Sequence, residues 1–323
     1  MADRGKLPMT LAFVFPGQGS QSVGMLAELG AVEPVVRATF AEASDVLGYD
    51  LWALCQDGPE AELGSTERTQ PAMLAAGVAT WRVWVGRGGP RPVAMAGHSL
   101  GEYTALVCSD AMDFKTAIDV VRFRGQVMQQ AVPLGQGAMA AILGLEDADL
   151  DAACREAAQG EVVEPVNFNA PGQTVIAGNA TAVARAIDAA KARGAKRAVL
   201  LPVSVPSHSS LMRGAAERLA GKLATVEVRL PDVADVYTVD VRKHASPDGI
   251  RQSLKEQLFK PVRWADTVRA MLAGGATTFV ECGPGKVLTS LNRRIERKPE
   301  LKMLALEDST SIAAALAACG ESA

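Results

Sequence analysis

The chain has 323 residues, a formal net charge of −3 and 48% hydrophobic residues. A typical domain has roughly 100–200 residues, so this length fits one large domain with an insertion, or two domains. The chain carries neither basic runs nor a basic excess, which argues against a nucleic-acid or membrane-surface partner. No segment reaches the roughly 18 consecutive apolar residues of a membrane span.

The five cysteines are scattered and show no C-x-x-C spacing, which is typical of reduced thiols in the cytoplasm. Only three histidines occur and none adjoins a cysteine pair, so we expect no metal site. The N-terminal segment Met1–Pro8 is short and polar and lacks the apolar core of a signal peptide. We therefore expect a cytoplasmic protein, with a monomer as the default. The cysteines are Cys55, Cys108, Cys154, Cys282 and Cys319.

Strand-like and helix-like segments alternate along the first part of the chain. Leu11–Phe15 and Pro92–Ala96 are short apolar runs that end at Pro or Gly, which predicts buried strands. Thr69–Val85 and Asp113–Ala131 have the composition and length of helices. This alternation predicts an α/β fold with a mostly parallel sheet.

A different order follows, namely strand, helix, strand, strand, helix, strand, which is typical of a ferredoxin-like unit. We predict a small ferredoxin-like subdomain at 132–202. It is inserted into a large α/β-hydrolase-like domain made of residues 1–131 and 203–323, whose C-terminal part is helical with one clear strand at Thr277–Glu281. The six predicted elements of the insertion are Gly137–Gly144, Glu146–Ala158, Val162–Phe168, Gln173–Gly178, Thr181–Arg193 and Arg197–Val205.

A candidate nucleophile lies in Gly97-His98-Ser99-Leu100-Gly101, which fits G-x-S-x-G between a predicted strand and a helix. The two glycines permit a sharp turn that exposes the Ser99 hydroxyl. The Leu100 N–H at the start of the following helix is then a natural oxyanion donor. The alternative is an ordinary strand-to-helix turn capped by a serine.

A serine nucleophile needs a base, and histidine is the usual one. His98 adjoins the serine, and neighbouring side chains on such a turn diverge. His208 follows the predicted strand Arg197–Val205, and strand ends in a parallel sheet face the active cleft. His244 lies in a polar stretch that reads as a solvated loop. Position favours His208. The alternative is that His208 and His244 are both surface histidines.

A second glycine-rich loop, Phe15-Pro-Gly-Gln-Gly-Ser20, follows the first strand. It matches neither a phosphate-binding loop nor a dinucleotide fingerprint. Beside Ser99, it would supply a second oxyanion N–H at Gln18.

Several motifs, in this order along the chain, resemble those of malonyl-CoA:acyl-carrier-protein transacylases. The resemblance extends from about Leu11 to Leu306. The motifs are Phe15-Pro-Gly-Gln-Gly-Ser-Gln21, Gly97-His-Ser-Leu-Gly-Glu-Tyr103, Val166-Asn-Phe-Asn-Ala-Pro-Gly172, Val203-Ser-Val-Pro-Ser-His208 and Glu281-Cys-Gly-Pro-Gly-Lys286.

The resemblance implies a ping-pong transfer without a cofactor. Ser99 would attack malonyl-CoA and release coenzyme A, and the phosphopantetheine thiol of acyl carrier protein would then take the malonyl group. His208 would act as base and then as acid, oriented by the backbone carbonyl of Gln257. The N–H groups of Gln18 and Leu100 would hold the oxyanion.

The resemblance also implies that Arg124 binds the malonyl carboxylate. Independently, a guanidinium matches a carboxylate with two parallel hydrogen bonds, which lysine cannot form. Arg122 is the local competitor, but residues two apart on a helix face different ways. The alternative is that Arg124 is an exposed surface residue.

Weaker expectations concern substrate contacts and carrier docking. Asn167 and Ser207 are candidates to line the pocket, and Asn169 is a candidate for a structural or water-holding role. Docking of the acidic carrier protein is assigned to Lys196, Arg197 and Lys286, although such residues are more often merely solvated.

Three other functions fit parts of the pattern. A serine hydrolase would share Ser99 but would not need Arg124. A transferase for another diacid is a second alternative. Methylmalonyl, for example, has one methyl group more than malonyl, and one such group is worth about 1–3 kcal/mol of discrimination. A non-catalytic carrier-binding module would not need the nucleophile. Fatty-acid synthesis is favoured over polyketide synthesis.

Overall fold

A computed structural model of the chain describes residues 10–203 and 205–320. Within these ranges, nine strands form two separate sheets. The strands are β1 (Leu11–Phe15), β2 (Ala94–Gly97), β3 (Gly137–Leu143), β4 (Val163–Ala170), β5 (Gln173–Asn179), β6 (Arg197–Leu200), β7 (Asp235–Tyr237), β8 (Thr278–Cys282) and β9 (Lys302–Leu306).

Helices cover both sheets and make up much of the chain. They are α1 (Ala27–Val32), α2 (Pro34–Leu47), α3 (Leu51–Asp57), α4 (Glu60–Leu63), α5 (Thr66–Gly86), α6 (Gly101–Cys108), α7 (Phe114–Gln129), α8 (Asp147–Ala158), α9 (Ala180–Ala192), α10 (Arg213–Leu223), α11 (Pro247–Gln257), α12 (Trp264–Ala273), α13 (Val287–Ile295) and α14 (Ser309–Gly320).

The larger sheet has five parallel strands in the order β7-β2-β1-β8-β9. Every residue of β1 is buried because helices pack on both faces. Phe13 belongs to the core on one face and contacts Trp84 of α5, whereas Val14 belongs to the core on the opposite face with Trp264 of α12. In the register of β1 with β2, Phe15 pairs with Gly97, so the loops that follow these strands emerge side by side.

The smaller sheet is antiparallel, with strands in the order β4-β5-β3-β6. Helices α8 and α9 pack on one face against Ile142 and Ile176. On the other face, Met139 and Val175 form a small separate core. The prediction of an α/β fold with a parallel sheet is therefore confirmed, and a separate antiparallel sheet accompanies it.

The predicted strand Arg197–Val205 is too long, because β6 ends at Leu200. The proline nitrogen of Pro202 cannot donate to the sheet, and the Val203 N–H turns back to the carbonyl of Leu201. Ser204 of the motif lies outside the described residues, as does the segment Met1–Pro8.

After His208, the chain forms a 3₁₀ turn, Ser210–Met212, and continues as α10. The C-terminal part also contains two strands that the sequence did not reveal, β7 and β9. The first has only three residues and the second begins at an exposed lysine, so neither forms a continuous apolar run.

All five cysteines are buried free thiols. No helix within 10–203 or 205–320 combines the length and apolar character needed to cross a membrane.

The turn between β2 and α6 is packed too closely for side chains at its glycines. A Cβ added to Gly97 would lie 1.8 Å from the carbonyl carbon of Gly101, and one added to Gly101 would lie 2.0 Å from the Phe15 oxygen. These are backbone atoms, so no side-chain movement relieves the clash. The two glycines therefore allow α6 to start directly against β1.

We expect Gly101→Ala to lower the free energy of unfolding by about 3 kcal/mol, because overpacking forces the backbone apart. Gly221→Ala is the matched control, since Gly221 is exposed in α10 with open space around it. The control should raise stability by about 0.5–1 kcal/mol. Urea unfolding of both variants measures this, and equal effects would contradict the packing argument.

Candidate active site

The Ser99 hydroxyl stands on a left-handed turn at the carboxyl end of the parallel sheet. The backbone φ of Ser99 is +52°, a conformation that non-glycine residues rarely adopt. Strand β2 fixes the chain before this turn and α6 fixes the chain after it. This backbone conformation therefore points the Ser99 side chain away from the strand and into a cavity between the two sheets.

His208 lies in hydrogen-bond contact with this hydroxyl. Its Nε2 is 2.8 Å from Ser99 Oγ, and its Nδ1 is 2.6 Å from the backbone carbonyl of Gln257. A carbonyl only accepts, so Nδ1 carries the proton and Nε2 is left as the acceptor for the serine O–H. This arrangement gives the imidazole the tautomer of a general base.

His208 reaches Ser99 by a route that differs from the predicted one. The argument from a parallel strand end is wrong, because β6 belongs to the antiparallel sheet and ends well before His208. Instead, the His208 N–H donates to the carbonyl of Leu258 at 2.9 Å, and its φ is +66°. The end of α11 thus holds both the backbone and the ring of His208.

The other two histidines have different partners. His98 Nε2 is 2.8 Å from Asn169 Oδ1, and its ring lies against Trp264, which supports a structural role for Asn169. His244 is half-buried, with Nε2 3.1 Å from Thr238 Oγ1. Its neighbours Arg242, Lys243 and Ala245 are exposed and belong to no helix or strand, as predicted for a solvated loop.

Burial, followed by the charge of Arg124, lowers the pKa of His208 to about 3, against the opposing effect of the Gln257 carbonyl. Both causes act against the protonated ring. His208 is therefore neutral in the free protein over the physiological pH range.

Arg124 is 1% exposed, and its guanidinium lies beside the nucleophile. Its Nη1 donates to Gln70 Oε1 at 2.7 Å, and its Nη2 donates to Gln257 Oε1 at 2.9 Å and to Ser99 Oγ at 3.2 Å. Arg122 is partly exposed and pairs with Asp119 instead. The structure therefore brings Arg124, but not Arg122, to the candidate site.

The side chain of Gln257 joins these groups, a contact that sequence reasoning missed. Its Nε2 donates to the backbone carbonyl of Ser99 at 3.0 Å and to Glu102 Oε2 at 2.7 Å. Glu102 is 1% exposed, and burial raises its pKa to about 8 in spite of the Gln257 hydrogen bond. An acidic residue in the first turn of the otherwise apolar α6 was the available signal. Gln70 carried no comparable signal.

Two backbone N–H groups flank Ser99 as candidate oxyanion donors. Gln18 lies in the loop after β1, and Leu100 precedes α6, and both line the same cavity as Ser99. Across residues 10–203 and 205–320, neither N–H donates a hydrogen bond to the protein. Both are thus available to an oxygen bound there.

The cavity in front of Ser99 has a volume of about 280 Å³ and lies between the two sheets. Asn167 and Ser207 both line it, and Asn167 Oδ1 has no hydrogen-bond partner in the described part of the chain. Its apolar wall comes from the antiparallel sheet and from α13, through Met139, Ala141, Val175, Leu288 and Leu291.

No group of three or more metal-ligating side chains occurs among the described residues. The expectation that the protein needs no metal or cofactor stays a prediction.

The three predicted docking residues are exposed and do not line the cavity. Lys196 and Arg197 lie at the start of β6, and Lys286 forms an ion pair with Glu307 at 3.2 Å. Their role in carrier docking stays a prediction.

Comparison with known proteins places these features in a wider group. Residues 12–306 match the family model described as the acyl transferase domain. The chain is 56% identical over 305 residues to the malonyl CoA-acyl carrier protein transacylase of Escherichia coli strain K12, covering 94% of this chain and 98% of that one.

Solved structures are equally similar. One is a malonyl-transacylase in complex with its type II PKS acyl-carrier protein, with 55% identity, a TM-score of 0.94, and coverage of 96% of this chain and 99% of that one. Another is an acyl carrier protein S-malonyltransferase from Vibrio cholerae, with 56% identity, a TM-score of 0.91, and coverage of 95% and 99%.

We expect the His208 ring to stay neutral down to about pH 5, whereas an ordinary histidine titrates near 6.5. Side-chain ¹H–¹⁵N NMR of the free protein, assigned with a His208 variant, measures this. Arg124→Gln should raise the pKa of His208, because it removes a cation that disfavours the protonated ring. A wild-type titration near 6.5 would contradict the proposed environment.

Proposed function

The chain belongs to the acyl transferase domain family, and we propose that it is a malonyl-CoA:acyl-carrier-protein S-malonyltransferase of fatty-acid synthesis. It moves the malonyl group from malonyl-CoA to the phosphopantetheine thiol of acyl carrier protein through an ester on Ser99. The observation that carries this proposal is the buried guanidinium of Arg124 beside the Ser99 hydroxyl.

A single methylene separates the thioester carbonyl of malonyl-CoA from its free carboxylate. A carboxylate on such an acyl group therefore lies close to the atom that attacks the carbonyl. Arg124 Nη2 is 3.2 Å from Ser99 Oγ, so the guanidinium is within reach of that carboxylate. A buried arginine without a carboxylate in contact is costly, and a bound malonyl group would supply the missing anion.

In the first half-reaction, Ser99 Oγ attacks the thioester carbonyl while its proton passes to His208 Nε2. The negative charge that develops on the carbonyl oxygen is met by the N–H groups of Gln18 and Leu100. The tetrahedral intermediate collapses, the C–S bond breaks, and the imidazolium returns its proton to the departing coenzyme A sulfur. Ser99 now carries the malonyl ester.

In the second half-reaction, the carrier thiol enters the same cavity. His208 takes the thiol proton as the sulfur attacks the ester carbonyl. The C–O bond to Ser99 then breaks, and the proton passes from His208 to Ser99 Oγ. The malonyl thioester of the carrier leaves, and the free enzyme is restored.

The finer structural expectations form part of the same proposal. We infer that residues 132–202 are a ferredoxin-like subdomain within an α/β-hydrolase-like domain of residues 1–131 and 203–323, supported by the order of elements in the smaller sheet. A cytoplasmic monomer is proposed as well, and the free cysteines support that location.

The proposal predicts that malonyl-CoA labels Ser99 covalently. Acid-quenched protein is mapped by peptide mass spectrometry, before and after addition of acyl carrier protein bearing its phosphopantetheine arm. We expect the label on the Ser99 peptide, its transfer to the carrier, and no label in Ser99→Ala. Loss of label to water at a carrier-independent rate would indicate a hydrolase, and no label would favour a carrier-binding module.

Arg124→Gln should lower kcat/KM for malonyl-CoA at least about tenfold, because it removes charge-assisted hydrogen bonds to the carboxylate. Transfer from acetyl-CoA should hold or rise, since acetyl has no carboxylate. Arg122→Gln is the matched control from the same helix and should change neither rate. Equal losses with both donors in Arg124→Gln would rule out a specific role of Arg124 in binding the malonyl carboxylate. Methylmalonyl-CoA, assayed alongside, tests the rival donor.

A further inference from the structure

We infer that Glu102 is a positioning residue for malonyl selectivity, because it holds the side-chain amide of Gln257 with its oxygen facing Arg124. This inference rests on the proposed function. Glu102 acts through Gln257 and contacts neither the acyl group nor the reacting atoms.

The amide of Gln257 is fully buried, and all of its contacts depend on its orientation. Its Oε1 accepts from Arg124, and its Nε2 donates to the Ser99 carbonyl and to Glu102. A guanidinium only donates and a backbone carbonyl only accepts. A flipped amide would set N–H against N–H at Arg124 and oxygen against oxygen at Ser99.

Glu102 is needed because the amide nitrogen has two hydrogens to satisfy. The Ser99 carbonyl takes one, and Glu102 Oε2 takes the other at 2.7 Å. Without Glu102, one buried N–H would have no partner among these groups, at a cost of the order of a lost hydrogen bond. The amide would then be drawn away from Arg124 towards another acceptor.

The hydrogen bond, rather than a direct charge contact, explains the position of Glu102. In the described chain, no hydrogen bond or ion pair joins Glu102 to Arg124. Burial raises the pKa of Glu102 to about 8, and Oε2 accepts a hydrogen bond in the neutral and in the charged form.

The second oxygen, Oε1, makes no close hydrogen bond among the described residues, although the backbone N–H of Val239 lies near the carboxyl. Glu102 borders a small polar cavity of about 10 Å³ together with Thr238 and Thr267. A volume of that order holds about one water molecule. A glutamine at this position would therefore keep an acceptor towards Gln257 and place its NH₂ group on the cavity side.

The loss of Glu102 should affect transfer of the acyl group whose carboxylate binds Arg124. Gln70 holds Nη1 and Gln257 holds Nη2, so the loss of one anchor leaves the guanidinium free to turn out of line. Malonyl transfer depends on that alignment, whereas acetyl transfer does not. Glu102 should thus affect the ratio of malonyl to acetyl transfer.

The test compares Glu102→Met, which fills the volume without an acceptor, with Glu102→Gln, which keeps one. In Glu102→Met, the ratio of kcat/KM for malonyl-CoA to that for acetyl-CoA should fall about threefold to tenfold, mainly through a higher KM for malonyl-CoA, as expected for one lost hydrogen bond. Glu102→Gln should retain the wild-type ratio. If Glu102→Met does not fold, Glu102→Asp, which withdraws the carboxyl from Gln257, carries the same expectation.

Glu281→Met is the matched control for the loss of a buried carboxyl. Glu281 is fully buried and accepts from the N–H groups of Leu288 and Thr289 at the start of α13, with no contact to Gln257. The Glu281→Met variant should lower the melting temperature. Any shift of Leu288 in the cavity wall should affect both donors alike, so the donor ratio should stay unchanged.

Equal losses with both donors in Glu102→Met would overturn the inference, and so would a Glu102→Gln ratio as low as that of Glu102→Met. A wild-type protein that fails to label Ser99 with malonyl would refute the proposed function itself. A wild type that labels normally, with no change of ratio in the Glu102 variants, would refute only the role of Glu102.

Discussion

The burial of Arg124 without a carboxylate in contact is the constraint on which the rest of the site depends. A guanidinium taken out of water must find acceptors for its N–H groups. Here the acceptors are two amide oxygens, from Gln70 on α5 and Gln257 on α11, and the serine hydroxyl. Three helices must therefore converge on the end of the parallel sheet. Neutral acceptors leave the positive charge without a carboxylate in contact, and an acyl group with its own carboxylate would supply one.

The charge of Arg124, the proposed carboxylate-binding residue, also acts on His208, the proposed base. Because both residues are buried, the positive charge of Arg124 acts on His208 and lowers its pKa further than burial alone does. A malonyl carboxylate paired with Arg124 would reduce that field and make the imidazole a stronger base. The effect favours proton transfer once a dicarboxylic acyl donor is in place. Gln257 reinforces the connection, since its backbone carbonyl orients His208 while its side chain holds Arg124.

The sequence predicted those parts of the site whose conformation depends on steric contacts between residues close together in the chain. The sequence predicted a sharp turn at Gly97 and Gly101, and in the structure a Cβ added to either residue would clash with backbone atoms. The placement of His208 was predicted, but from a strand that ends too early. Its true support is a backbone hydrogen bond to Leu258, which is remote in sequence. No role was predicted for Glu102 for the same reason, because its partner Gln257 is on a distant helix.

The two strained residues also explain why the site spans elements from both halves of the chain. Ser99 and His208 both have positive φ, which is unfavourable for residues with a Cβ and persists only where the surroundings hold it. For Ser99, the close packing of α6 on β1 provides that support. For His208, the end of α11 provides it through Leu258 and Gln257. Because both supports meet at Gln257, whose Nε2 also binds the Ser99 carbonyl, relaxation of one strained residue would disturb the other. The hydroxyl and the imidazole are thus kept 2.8 Å apart by the protein before any substrate contributes binding energy.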